Sequence, residues 1–398
     1  MKAGWQIKKL SEVCEKITDG THQTPTYFDE GFLFLSSRNV TSGTINWESV
    51  KYIDSKQHVE MQRRVSPRVN DILLAKNGTT GVAAMVDRDV SFDIYVSLAL
   101  LRPLDAVSPM FLLHFINSPL AKMQFTKRLK GVGVPNLHLE EIRQVEMPLP
   151  PLPEQRRIVA ILDEAFDGIA TAKANAEKNL QNARALFESH LQSVFTDAWR
   201  DGELVTLADL ATDITDGDHM PPPKAQTGVP FITIGNVVKD VRRIDFTNTF
   251  MVPKEYFDAL NPNKKPKIGD VLYTVTGSFG IPVLVNEQRD FCFQRHIGLV
   301  RPKPDISSEW LFYLLMSPQI VQQAYDGATG TAQKTVSLKV LRGFEVPRIS
   351  LARQQAATAK FNRLATETQR LESLYQQKLT ALDDLKKSLL HQAFSGQL

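Results

Sequence analysis

The sequence predicts an α+β chain: two tandem α/β domains separated by long helices that pair as an antiparallel coiled coil, with a pseudo-two-fold repeat relating the halves. Three observations carry this. The chain is written twice, each copy opens on short apolar runs at strand spacing, and each closes on a long stretch with an apolar residue at every third or fourth position.

The duplication holds one register. Ile17-Thr-Asp-Gly-Thr-His22 returns as Ile214-Thr-Asp-Gly-Asp-His219, and Phe34 with Asn39-Val40 returns as Phe231 with Asn236-Val237, each 197 positions later. Past a net two-residue insertion the spacing is 199, kept by Asp71/Asp270, Gly81/Gly280, Arg102-Pro103/Arg301-Pro302, Ser118-Pro119/Ser317-Pro318, Gln155/Gln354, Leu191/Leu390 and Phe195/Phe394. The expected division is 1–152 and 201–350 for the domains, and 153–200 and 351–398 for the helices.

Within each domain, runs such as Asp71-Ile-Leu-Leu-Ala75 and Asp270-Val-Leu-Tyr-Thr274 sit between glycine-bearing turns and read as strands. Met110–Ile116 and its counterpart Trp310–Met316 read as helices, each stopped by Ser-Pro, whose ring disfavours continuation. Beyond Glu154 the pattern changes. Ile158, Leu162, Ala165, Ile169, Ala172, Ala176, Leu180, Ala183, Phe187, Leu191 and Val194 form a narrow stripe. The second copy offers Phe361, Leu364, Leu371, Tyr375, Leu382, Leu385 and Leu389, with Thr368 and Lys378 interrupting. Such seams bury one face against a partner helix, and about 40 helical residues span roughly 60 Å, a strut rather than a domain element. Two equivalent stripes behind two equivalent domains are expected to pair with each other.

Composition bounds the function. With 42% hydrophobic and 23% charged residues the chain is an ordinary globular one. Two distant cysteines, Cys14 and Cys292, imply neither a disulfide framework nor a cysteine zinc site, and a cytoplasmic setting without a membrane span is expected. The net charge of +3 announces no nucleic-acid partner by itself. Local clusters such as Lys127-Arg128, Arg242-Arg243 and Lys264-Lys265 can meet phosphates, but equally stand as solvated surface.

Pro148-Leu-Pro-Pro-Leu-Pro-Glu-Gln-Arg-Arg-Ile-Val-Ala-Ile-Leu162 and the closing stretch Leu379–Leu398, ending His391-Gln-Ala-Phe-Ser-Gly-Gln-Leu398, resemble the repeated helical regions of type I restriction-modification specificity subunits. The Thr-Asp-Gly entry to each domain resembles the start of that family's target recognition domains, so the resemblance covers essentially the full chain. The second copy departs from it at Ser350-Leu-Ala-Arg-Gln354, where proline and glutamate are missing. The resemblance implies a non-catalytic subunit whose two target recognition domains each read half of a split, asymmetric target in double-stranded DNA. The coiled coil would set the spacing and dock modification subunits, two of them by the two equivalent surfaces, with Glu154, Gln155, Gln354, Phe195 and Phe394 as docking candidates. The resemblance further implies restriction subunits in the complex, with S-adenosylmethionine and ATP with Mg2+ on the partners and no cofactor or metal expected on this chain.

Residues shared by both domains cannot distinguish two different half-sites, so base readers are expected where the loops differ. In the first domain these are Arg38, Asn39, Lys76, Asn77, Thr79, Thr80, Lys130 and Asn136. In the second they are Thr233, Asn236, Thr276, Ser278, Arg295, His296, Thr331, Gln333 and Lys334. Arg and Lys can bond guanine O6 and N7, and Asn and Gln can bond adenine N6 and N7. His22 and His219 stand as DNA-contacting or structural, and Asp19-Gly20 and Asp216-Gly217 as turns. The sequence holds no GxxxxGK[ST], HExxH or GxGxxG motif, no adenine-methylation motif and no Glu-x-Lys nuclease signature. Two alternatives stay open at this point: a DNA-binding structural adaptor, and a fused methyltransferase with a divergent site.

Overall fold

The computed structural model describes residues 4–40, 43–78, 80–130, 136–219, 222–331 and 333–398. The chain forms two compact units, Met1–Glu177 with Gln376–Leu398, and Lys178–Tyr375. Each unit therefore takes one globular domain and a part of both long helices.

In the first unit a four-stranded sheet runs in the order Cys14–Asp19, Leu98–Pro103, Ile72–Ala75, Ala83–Met85, all antiparallel. A three-stranded sheet places Phe32–Leu35 between Lys51–Ile53 and the parallel strand Phe92–Ile94. A third pair, Gln6–Lys9 with Glu146–Leu149, ties the beginning of the domain to its end. Leu73, Leu100 and their neighbours face one core, while Ile72, Leu74 and Leu101 face another under the helices. This is the two-faced alternation of a strand buried on both sides.

The second unit repeats this plan. Ala211–Asp216, Ile297–Pro302, Val271–Thr274 and Pro282–Leu284 form the four-stranded sheet, and Phe250–Val252, Val229–Ile232 and Cys292–Phe293 the three-stranded one. Even the irregularity returns, a register shift between Cys14 and Lys16 and another between Ala211 and Asp213. A short hairpin, Val237–Val238 with Arg243–Ile244, is added in the second copy. The helix over 110–116 spans Pro109–Asn117, and the Ser-Pro after it opens another, Pro119–Arg128, whose buried Ser118 accepts the Ala121 N–H at 3.2 Å. Ser317 does the same for Pro318–Gly327. A serine hydroxyl satisfies one of the orphan amides at the helix start, and proline at the first position needs none.

The long helices span Leu152–Asp201 and Leu351–Ser395. Leu162, Ile169, Ala176 and Ala183 are buried at intervals of seven, the repeat of a coiled-coil seam. The helices pack antiparallel in each unit: Lys173 pairs with Asp383 in the first, and Arg184 Nε donates to Glu372 Oε1 at 2.6 Å in the second. The second stripe departs from its expected course. Thr368 and Leu379 are half-buried, Lys378 is exposed and Leu385 is 47% exposed, so the seam passes through Leu379.

The helix ends are part of the domain cores. Ile158, Leu162, Leu390, Ala393 and Phe394 join the first core, where Phe394 meets Phe111 and Phe115 with centroids 5.1 and 5.4 Å away. Leu191, Phe195, Ala198 and Phe361 join the second, where Phe195 lies 4.7 Å from Trp310. Phe195 and Phe394, expected to dock a partner, are thus spent on internal packing. Gln155 and Gln354 are likewise 1% exposed. Gln155 accepts from Ser108 N and donates to Ala106 O and Pro150 O; Gln354 accepts from Ser307 N and donates to Asp305 O and Ile349 O. An amide with its donors and acceptor committed holds its own helix in place and offers nothing outward. Glu154, paired with Arg157 at 2.7 Å and partly exposed, is the one docking candidate left at the surface.

Candidate nucleic-acid interface

Backbone hydrogen bonds gather the loops named from sequence at one end of each domain. In the first, Thr21 N donates to Ile94 O (3.0 Å), Tyr95 N to Leu35 O (2.8 Å), Lys76 N to Ser97 O (3.0 Å) and Leu137 N to Lys76 O (2.9 Å). In the second, Asp218 N donates to Phe293 O (3.0 Å), Gln294 N to Ile232 O (3.0 Å), Val275 N to His296 O (2.9 Å) and Val336 N to Val275 O (2.8 Å). Five segments far apart in sequence thus share one edge. Gly20 and Gly217 are required there by close approach: a Cβ would stand 1.8 Å from Ile94 O and 1.9 Å from Phe293 O.

The side chains on these loops divide into two groups. Arg38, Lys130, Ser278, Arg295, Thr331, Gln333 and Lys334 are exposed; Lys130 also pairs with Glu141 at 2.5 Å. Asn39 and Asn236 are buried, each accepting from the backbone at Ser36 or Thr233 and donating to two carbonyls across the loop. Their expected role in base reading is replaced by a structural one: all their amide capacity closes the loop, which is why both copies keep them. Thr233 donates its hydroxyl to Asn236 at 2.8 Å and is part of the same clamp.

Lys76 is the main correction. Its side chain is 6% exposed and its Nζ donates to Asp19 Oδ2 at 2.8 Å. An ammonium held this way is committed to neutralising a buried carboxylate. Asp19 also accepts from Arg64 Nη2 at 2.5 Å and faces His22 Nε2 at 3.3 Å. Burial pushes the Asp19 carboxyl up, but the bonds from Lys76 and Arg64 together outweigh it and hold the group below its ordinary value. The cluster leaves Arg64, half exposed, as a cation at this edge that the sequence reading missed. Its only signal was the Arg63-Arg64 pair, indistinguishable from solvated surface. In the second domain Val275 stands where Lys76 does, and Asp216 pairs with His219 at 2.8 Å. His22 and His219 are thus both exposed partners of the aspartate three residues before them.

The remaining candidates sit at the loop roots. Asn77 and Asn136 face each other across an isolated bridge, and their shielded side-chain Oδ1 atoms find no partner among the described residues. Thr276 and Thr335 occupy the same bridge in the second domain, their hydroxyls 3.3 Å apart. Thr80 is half-buried and bonds Lys76 O at 3.3 Å; His296 is half-buried against Gln294, its pKa lowered by burial and by Arg295. Thr79 lies outside the described residues.

One arrangement invites a catalytic reading. Ser91 Oγ lies 3.2 Å from His58 Nε2, and His58 Nδ1 lies 2.6 Å from Asp93 Oδ2, the order of a hydrolytic triad. The surroundings argue for packing. His58 stacks on Phe32 with centroids 3.7 Å apart, Gln62 holds the other Asp93 oxygen, and in the second copy Phe257 and Cys292 fill the same places as an apolar contact. Among the described residues no group of His, Cys, Asp and Glu could hold a metal ion, and no helix is long and apolar enough to cross a membrane.

Comparison with known proteins accords with this layout. The family model for the type I restriction modification DNA specificity domain matches residues 2–181 and again 201–381. The chain is 21% identical over 425 residues to the type I restriction enzyme EcoKI specificity subunit of Escherichia coli strain K12, covering 99% of this chain and 89% of that one. It is 24% identical to the MjaVIII specificity subunit of Methanocaldococcus jannaschii, covering 72% and 70%. Among solved structures, a chain from work on complex assembly and conformational transition of the type I R-M system aligns with a TM-score of 0.78 at 20% identity, covering 100% and 99%. The HsdS subunit of Thermoanaerobacter tengcongensis aligns with a TM-score of 0.62 at 21% identity, covering 100% and 98%. With the family model matched twice, once over each copy, the chain belongs to the type I restriction modification DNA specificity family.

Proposed function

We propose that this chain is the DNA-reading subunit of a type I restriction-modification complex. Each globular domain reads one half of an asymmetric bipartite target, and the paired helices set the interval between the halves. One observation carries the reading: two loop clusters on the same framework present different exposed side chains, Arg38 and Arg64 in the first and Arg295, Gln333 and Lys334 in the second. Identical frameworks with different faces suit two unlike half-sites, whereas an adaptor indifferent to sequence has no need of the difference. Two modification subunits would bring S-adenosylmethionine and the methyl-transfer chemistry, and restriction subunits ATP and Mg2+, to a cytoplasmic assembly.

The test is a map of methylated adenines in the source genome, followed by binding of Arg38→Ala to duplexes altered in either half of the mapped target. A split, asymmetric target is expected, with the Arg38→Ala loss confined to the half read by the first domain. Equal losses on both halves, or binding without sequence preference, would reject the reading.

A further inference from the structure

Phe279 and Tyr325 form an aromatic pair, ring centroids 5.1 Å apart and 64° between planes. Phe279 lies in the loop after the strand Val271–Thr274, and Tyr325 on the helix Pro318–Gly327, which leads into the loop carrying Thr331, Gln333 and Lys334. The corresponding residues of the first domain, 199 positions earlier, are Thr80 and Thr126, whose hydroxyls bond back to Lys76 O and Lys122 O. Both members of the pair have therefore changed together, from small hydroxyls to rings. Packing does not account for Tyr325, which is 57% exposed.

The neighbourhood is polar. Thr276 and Ser278 share the Phe279 loop, a Cβ on Gly277 would stand 3.9 Å from Gln333 Nε2, and Gln322 and Asp326 flank Tyr325 on its helix. An exposed Tyr325 on a half-buried Phe279 that is anchored in the second core, with hydrogen-bonding groups nearby, suits a surface that is mostly polar with a single apolar point. The major-groove edge of a base pair has that character, since its one apolar group is the thymine methyl. We propose that Phe279 and Tyr325 are an apolar specificity contact of the second domain, seated on a thymine methyl in its half of the target. The inference rests on the DNA-reading function proposed above, and the first domain carries Thr80 and Thr126 in these places.

The test uses the full chain assembled with its modification subunit and duplexes carrying the mapped target. Phe279→Thr with Tyr325→Thr imports the first domain's residues; Tyr325→Thr alone changes only the exposed ring. For the double variant, affinity is expected to fall about fivefold or more, the scale of losing an apolar contact to a methyl group. The salt dependence should keep its slope, because no cation is removed. Scrambling each half-site in turn should place the loss in the second domain's half, and the single variant should show part of it with the wild-type melting temperature. Unchanged affinity overturns the inference, and so does a shallower salt slope, which would assign the loss to a displaced cation such as Lys334 rather than to the rings. Weakened subunit assembly with normal DNA affinity in the assembled complex assigns the pair to a protein partner and equally overturns it. Failure of the wild-type complex to prefer its target over random duplex would instead reject the DNA-reading function itself.

Discussion

Lys76→Met separates the two roles open to this lysine. Methionine keeps most of the stem's volume and removes the ammonium, leaving Asp19 with its side chain 3% exposed and short of its closest fully buried partner. Breaking a buried ion pair costs about 3–5 kcal/mol; Arg64 and His22 remain on Asp19, so about 3 kcal/mol is expected. Cys14 begins the strand that Asp19 ends, and burial pushes its thiol up to about 12, so it reacts only when the domain opens. Cys292, buried and also raised to about 12, serves as the internal reference in the second domain. Thiol labelling read peptide by peptide should show Cys14 reacting on the order of a hundredfold faster in Lys76→Met, the factor that about 3 kcal/mol represents, with Cys292 unchanged. Adding Asp19→Asn removes the stranded charge and should restore most of the protection. Unaltered Cys14 protection together with weaker binding at one half-site would refute the argument and return Lys76 to the readers.

Two further outcomes follow. His114 Nε2 donates to Asp163 Oδ1 on the first long helix at 2.8 Å, and burial lowers its pKa against the pull of that carboxylate. Its contribution to stability is complete above the unfolded value and is lost as the pH falls through the lower folded one, so the first unit should melt earlier below about pH 6.5. The second copy has Tyr313 and Asn362 in these places, bonded at 2.8 Å; importing them as His114→Tyr with Asp163→Asn should flatten the pH dependence of that transition, and an unchanged slope in melting curves would disprove the assignment. Inserting four residues at facing positions of both long helices adds about 6 Å of rise, nearly two base pairs of DNA. A selection over random spacers should then return a gap altered by one or two base pairs, and an unaltered gap would disprove the strut.

The repeat, the strands and the long helices were legible because each leaves a periodic trace: a constant spacing between copies, alternation, and a seven-residue stripe. The second seam was misread at Lys378 because Leu379 is its equal in position and only the facing helix decides which is covered. The loops that converge at the domain edge were also legible, since they are where the copies differ. Which side chains on them are free was not. Lys76 looks like a reader until Asp19, 57 residues away, is seen beneath it, and Gln155 looks like a docking group until the backbone at Ser108 and Ala106 accounts for it. Burial and long-range partners have no local signature, so a polar residue that closes the fold and one that meets a ligand read alike.

The duplication supplies what a single domain would lack, a second solution at every buried polar site. Where a pair is kept, as in Asp71–Arg102 and Asp270–Arg301, each bidentate at 2.7–2.9 Å with the aspartate 2% exposed, both charges are needed because either alone would be stranded. Two pairs have changed in both members: His58 and Asp93 stand opposite Phe257 and Cys292, and His114 and Asp163 opposite Tyr313 and Asn362, whereas Asp19 lost only its lysine in the other copy, where Asp216 is 17% exposed beside His219. Paired replacement is the expected path when one buried charge cannot lose its partner. Exposed positions feel no such coupling, so Arg38 against Gly235 can drift singly, changing one point of contact. That freedom is what lets two domains on one framework come to read different DNA. It also sets Thr80 and Thr126 apart: these are not a buried pair, yet both became aromatic, and joint change at a surface points to something outside the chain that selects them together.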